Sequence, residues 1–143
     1  MKLLISEILE KVNQAKTEQE KISILRVNYS PALEDVFKWT YDPNVFFFIS
    51  EIPLYTPDQA PDGLSFTSLY NEHKRFYLFH KNYKISSDKK TILLIQMLEA
   101  LGAKEAKILE YTIKKNIPGL SYDLVNKAYP NFLANPIKIP VEI

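Results

Sequence analysis

Thr91-Ile-Leu-Leu-Ile-Gln-Met-Leu-Glu-Ala-Leu-Gly-Ala-Lys-Glu-Ala-Lys-Ile-Leu-Glu-Tyr-Thr-Ile-Lys-Lys115 joins two helical apolar patterns at one glycine. Ile92, Leu93, Leu94, Ile95, Met97, Leu98 and Leu101 make the first pattern apolar nearly all round, which predicts a buried central helix over about 88–101. Gly102 is expected to close that helix with a left-handed cap, and Ala106, Leu109 and Ile113 turn a second helix, about 103–116, back onto it. Glu99, Glu105 and Glu110 fall on these helices without the pairing that acid–base chemistry needs, so they read as solvated faces.

Upstream, Ile5, Ile8, Leu9 and Val12 share one face of a helix over about 3–15. Thr17-Glu-Gln-Glu20 has the capping-box pattern and starts a helix that carries Ile22, Ile24 and Leu25 inward to about Asn28. Ser30-Pro31 starts another: serine caps it, and proline sits in the first turn where its missing N–H costs nothing. That helix buries Leu33, Val36 and Phe37 and stops before Pro43, because proline disfavours helical geometry in the residue preceding it.

Between Pro43 and Gly63, prolines at 43, 53, 57 and 61 forbid a continuous helix, yet Val45 through Ile49, Ile52, Leu54 and Tyr55 are too apolar for a solvated linker. Such a segment either packs over a core or carries function. The expectation is that Phe46, Phe47 and Phe48 belong to the core. A helix over about 65–83 then places Phe66, Leu69, His73, Phe76, Tyr77, His80 and Tyr83 on one face. A last short helix, capped by Ser121 after the Pro118-Gly119 turn, holds Leu124, Val125 and Ala128. The fold class is all-α: a single helical domain of six or seven helices over 1–134, irregular at 43–63, with 135–143 as an extended tail.

The 143 residues include no cysteine, which removes disulfides, thiolate metal sites and cysteine nucleophiles. Glu7 and Glu10 interrupt the apolar N-terminus where a secretory signal needs an unbroken core, and no run reaches the length of a membrane span. A soluble protein of the cytoplasm, without membrane contact, is expected. His73 and His80 are seven residues apart on a helix, too far for one metal ion, and read as core histidines with hydrogen-bonded tips. The three glycines stand alone, so no phosphate-cradling loop exists. The expectation is a non-enzymatic protein with no cofactor and no catalytic or metal-ligating residue.

Charge is uneven. Residues 43–66 carry Glu51, Asp58 and Asp62 with no lysine or arginine, whereas 67–92 carry six basic residues against two acidic ones. Two kinds of contact surface follow. Phe46, Phe48, Ile52 and Tyr55 are candidates for contact with a protein partner. Lys74, Arg75, Lys81, Lys84, Lys89 and Lys90 are candidates for contact with nucleic acid, whose phosphates need lysine and arginine. On a regular helix Phe76 and Tyr77 turn toward the core, which leaves Leu78 and Phe79 near the basic face and few rings for bases to stack on.

The order of pieces resembles an uncharacterised family of small proteins of T4-like tailed bacteriophages. The likeness lies in Val12-Asn-Gln-Ala-Lys16, Glu20-Lys21, Leu25 to Asn28, Ser30-Pro31, Tyr41-Asp-Pro-Asn-Val45, Leu69-Tyr70, Tyr77-Leu-Phe79, Leu98-Glu-Ala-Leu101, Glu105-Ala106 and Ala128-Tyr-Pro130. It spans about residues 3 to 133, and its motifs are structural punctuation with no catalytic residue among them. The chain departs from the family at Phe46-Phe-Phe-Ile-Ser-Glu-Ile-Pro53, where the relatives often carry glycine. The resemblance implies a phage protein made in the host cytoplasm. Accessory action by contact with a host or phage protein complex is the leading expectation, nucleic-acid binding the second and a structural part of the virion the third.

Overall fold

The computed structural model describes residues 2–134, so the expected tail at 135–143 lies outside the described residues. Among the described residues seven α-helices and one 3-10 helix follow in order: α1 (Ile5–Gln14), α2 (Glu18–Val27), α3 (Pro31–Tyr41), α4 (Leu69–Glu72), the 3-10 helix (His73–Phe79), α5 (Ser87–Ala100), α6 (Ala103–Ile113) and α7 (Tyr122–Ala128). Among the described residues there is no strand, only two isolated bridges.

The helix starts obey local chemistry. The Thr17 hydroxyl accepts the Glu20 N–H at 3.2 Å while the Glu20 carboxylate reaches back to the Lys16 N–H at 3.1 Å. Ser30, Ser86 and Ser121 cap α3, α5 and α7 by accepting the N–H three residues on.

The centre of the fold is not α5. Helix α6 packs against α3, α1 and α5, while α5 packs mainly on α6. Lys90, Leu94, Met97 and Leu98 form the buried stripe of α5, and Ile92 is 56% exposed on another side. A helix covered on one side cannot hide a ring of apolar residues, however apolar its sequence.

Gly102 is not a left-handed cap either. Its φ is −58°, and it forms the N-cap of α6, with Leu101 extended before it. A Cβ here would lie 3.0 Å from the Ser65 hydroxyl oxygen, so any larger residue would need that side chain to give by a few tenths of an ångström. The 58–67 stretch runs against this junction, bridging Asp58 to Gly102 and Thr67 to Leu101, with the Thr67 N–H on the Ala100 carbonyl at 3.2 Å.

The helix expected over 65–83 is shorter and of two kinds. Phe66 lies before it and is 93% exposed. After the four residues of α4 the chain tightens to a 3-10 helix, in which residues three apart eclipse. Phe76 and Phe79 therefore stack on the same buried side, so Phe79 belongs to the core and not to the basic face.

Between Tyr41 and Leu69 the chain has no regular element, and it contributes Phe47 to an aromatic cluster. The Phe47 ring lies 5.0 Å from Trp39 and 5.3 Å from both Phe76 and Phe79, centre to centre. Such ring pairs add about 0.5–1.5 kcal/mol each to the burial of their area. The C-terminus of α3 is closed from across the molecule. The Lys115 ammonium donates to the carbonyls of Trp39, Asp42 and Val45 at 3.0, 2.9 and 2.8 Å.

Candidate contact face

From Val45 to Ile49 burial alternates: Val45 and Phe47 are buried, Phe46 is half-buried and Phe48 is 56% exposed. Extended backbone sends successive side chains to opposite sides, so three consecutive phenylalanines cannot all enter one core. Only Phe47 does. The Phe48 N–H donates to the Phe79 carbonyl at 2.7 Å, which ties this stretch to the end of the 3-10 helix.

That tie brings the outward rings to the basic stretch. Lys81 lies over Phe46 at 5.8 Å and Lys90 over Phe48 at 5.1 Å, measured from nitrogen to ring centre. The two rings meet edge to face at 6.3 Å. Both distances suit cation–π attraction. Four of the ten candidate residues thus form one surface, with members from both expected classes.

His80 sits between them in sequence and is buried. Its Nδ1 accepts the Asn82 N–H at 3.0 Å and its ring stands edge-on to Trp39 at 5.9 Å. Burial first, then the Lys81 ammonium, holds the imidazole below its ordinary value of 6.5, against a hydrogen bond to the Asn44 backbone; Lys90 adds to the depression. The other histidine, His73, places Nδ1 2.6 Å from the Asp35 carboxylate on α3. Both tips are hydrogen-bonded, as expected of core histidines.

The remaining candidates disperse. Arg75 pairs with Glu72 at 3.0 Å, which removes it from the free cations. Lys74, Lys81, Lys84 and Lys89 are exposed and have no ion pair among the described residues. Lys90 is only 5% exposed, so it is no ordinary surface cation, and burial pushes its ammonium below its ordinary value. Ile52 and Tyr55 lie elsewhere, in an open groove of about 640 Å³ with Phe47, Leu54 and Ile113. The Tyr55 hydroxyl donates to Glu110, and burial, followed by that carboxylate, raises its pKa.

All three acids expected on solvated faces are engaged, Glu99 by accepting the Thr56 N–H at 2.7 Å. Glu110 holds Tyr55, and Glu105 is 2% exposed. The Glu105 carboxylate accepts the Ile5 N–H at 3.1 Å and the Leu69 N–H at 2.9 Å, joining the first turns of α1 and α4 to α6. Leu54 (97% exposed) and Phe66 (93% exposed), the second expected on the inward face of a helix, are further apolar surface. Among the described residues no three His, Cys, Asp or Glu side chains gather as metal ligands would, and no helix is long and apolar enough to cross a membrane.

Residues 8–118 match the model of a family of unknown function, DUF6433. The chain belongs to this family. The span matched to DUF6433 contains Phe46, Phe48, Lys81 and Lys90 together with α2 to α6, and it stops before α7. No curated protein matches the chain.

Proposed function

We propose that this DUF6433 protein is a non-enzymatic accessory protein of a tailed phage, working in the host cytoplasm by contact with a protein of a host or phage complex. The observation that carries this reading is Phe48: a large apolar side chain, 56% exposed, backed by Phe46 and held against Lys90. Aromatic side chains anchored in place are what the centres of protein interfaces use, since little entropy is lost when they are covered. The proline-bearing stretch from 43 to 63 serves as the arm that presents them, its prolines limiting the freedom of the free state.

Nucleic-acid binding is the second reading, favoured by the exposed Lys74, Lys81, Lys84 and Lys89, of which Lys81 lies over the half-buried Phe46 ring. Affinity capture from infected cells tests the first reading, comparing the wild type with Phe48→Ala. A stable protein partner retained by the wild type and lost by the variant is the expected result. The same partner retained equally by both would defeat the proposal. Binding of single-stranded DNA or RNA at about 150 mM salt, falling steeply as salt rises, would establish the second reading instead.

A further inference from the structure

Lys115 and Lys90 are treated in opposite ways by the fold. Lys115 spends its ammonium on three carbonyls. Lys90, 5% exposed, has only the face of the Phe48 ring, with no carboxylate or carbonyl partner among the described residues. A buried cation without an anion is costly, and folded proteins seldom keep one without a use.

Its surroundings raise the cost. Lys89 and Lys90 both occupy the first turn of α5, a helix of 14 residues whose positive end disfavours cations, and Asp88 is the one acid in that turn. Lys81 lies over Phe46, the other ring of the same pair. The face is therefore an apolar surface flanked by cations that lack counter-charges within the fold.

We propose that the Phe46–Phe48 face is the docking site of an acidic peptide segment, whose carboxylates reach exposed Lys81 and lie in the field of Lys90 beneath the rings, and whose apolar side chain covers Phe48. This rests on the protein-contact reading above and names the partner's chemistry. Charge complementarity points to the anion, and two features point to a peptide over a nucleic-acid strand. Each ring already has an ammonium over it, which leaves an edge suited to an aliphatic side chain more than a platform for stacked bases. Asp58 and Asp62 lie at the far end of α5, against Gly102 and Lys104, but exposed Glu51, three residues after Phe48, leaves a negative charge on the segment that supplies the rings. A continuous polyanion would meet that charge, whereas a short peptide can place its carboxylates only at the lysines.

The test is an amide NMR titration of the full-length protein with three probes: a Glu- and Leu-containing peptide of about a dozen residues, the same peptide with Gln for Glu, and a thymidine oligonucleotide of similar length. The acidic peptide is expected to shift the amides of Phe46 to Phe48, Lys81 and Lys90, and the Gln peptide to bind at least roughly tenfold more weakly. The Lys81→Gln/Lys90→Gln double variant should lose the same factor, with its dispersed spectrum showing that it is folded. No shift with the acidic peptide, shifts confined to other surfaces, or tighter binding of the oligonucleotide would overturn the proposal. Capture of a cellular partner separates the two levels. If Phe48→Ala abolishes capture while the double variant and high salt leave it intact, the contact reading stands and the acidic chemistry falls.

Discussion

The Lys90 ammonium lies 5.1 Å from the centre of the Phe48 ring, so a residue of the first turn of α5 and a residue of the irregular stretch after α3 share one surface. No ion pair fixes Lys90 among the described residues, and its burial is a cost to the fold. Lys90→Met keeps the stem and removes the charge. It is expected to raise stability by about 1 kcal/mol in chemical denaturation, where removal of a useful ion pair would lower it. A destabilised, otherwise native-like variant would show that Lys90 has a structural counter-charge.

Lys115 is the opposite case. Lys115→Met removes three charged hydrogen bonds from the carbonyls of Trp39, Asp42 and Val45 and leaves those acceptors partly buried. The expected loss is about 2–4 kcal/mol, read from the shift in denaturant midpoint at unchanged slope.

Glu105→Ala strands the N–H groups of Ile5 and Leu69 in the interior, and about 3 kcal/mol of stability should go with them. The pH dependence has a definite sign. Burial raises the Glu105 pKa above its ordinary value of 4.5, outweighing the N–H groups of Leu69, Ser6 and Ile5 that lower it. The folded state thus holds the proton more tightly than the unfolded state. This group's contribution is full below its ordinary value and is lost as pH rises through the raised one. The stability of the wild type relative to Glu105→Gln is expected to fall as pH rises from that value toward neutrality, in denaturation curves measured at several pH values. A difference that grows with pH would mean that the N–H groups outweigh burial.

The parts of this fold that were legible in sequence are those set by neighbours along the chain. Thr17, Ser30 and Ser121 announce helix starts because a hydroxyl reaches an N–H three residues away. The all-α class follows from the same spacings. Glu105 was not legible, because its partners are 100 and 36 residues distant and a lone glutamate in a helix looks solvated. The stretch from Ser65 to Tyr83 misled for a different reason. Helical periods of 3.6 and 3.0 both bury Phe76, and only the tighter one also buries Phe79.

The candidate face was half legible. Its residues were identifiable as two groups by ring and by charge, but their meeting depends on the Phe48 N–H finding the Phe79 carbonyl. Ile52 and Tyr55 were grouped with Phe46 and Phe48 by composition. The fold instead sends them toward α6, where Tyr55 engages Glu110.

Amide hydrogen exchange on the captured complex and the free protein tests the central claim most directly, because it reports which backbone is covered. Slower exchange confined to the stretches around Phe46 to Phe48 and Lys81 to Lys90 is the predicted result. Protection that spares both stretches and falls on α1, α2 and α7 would contradict it.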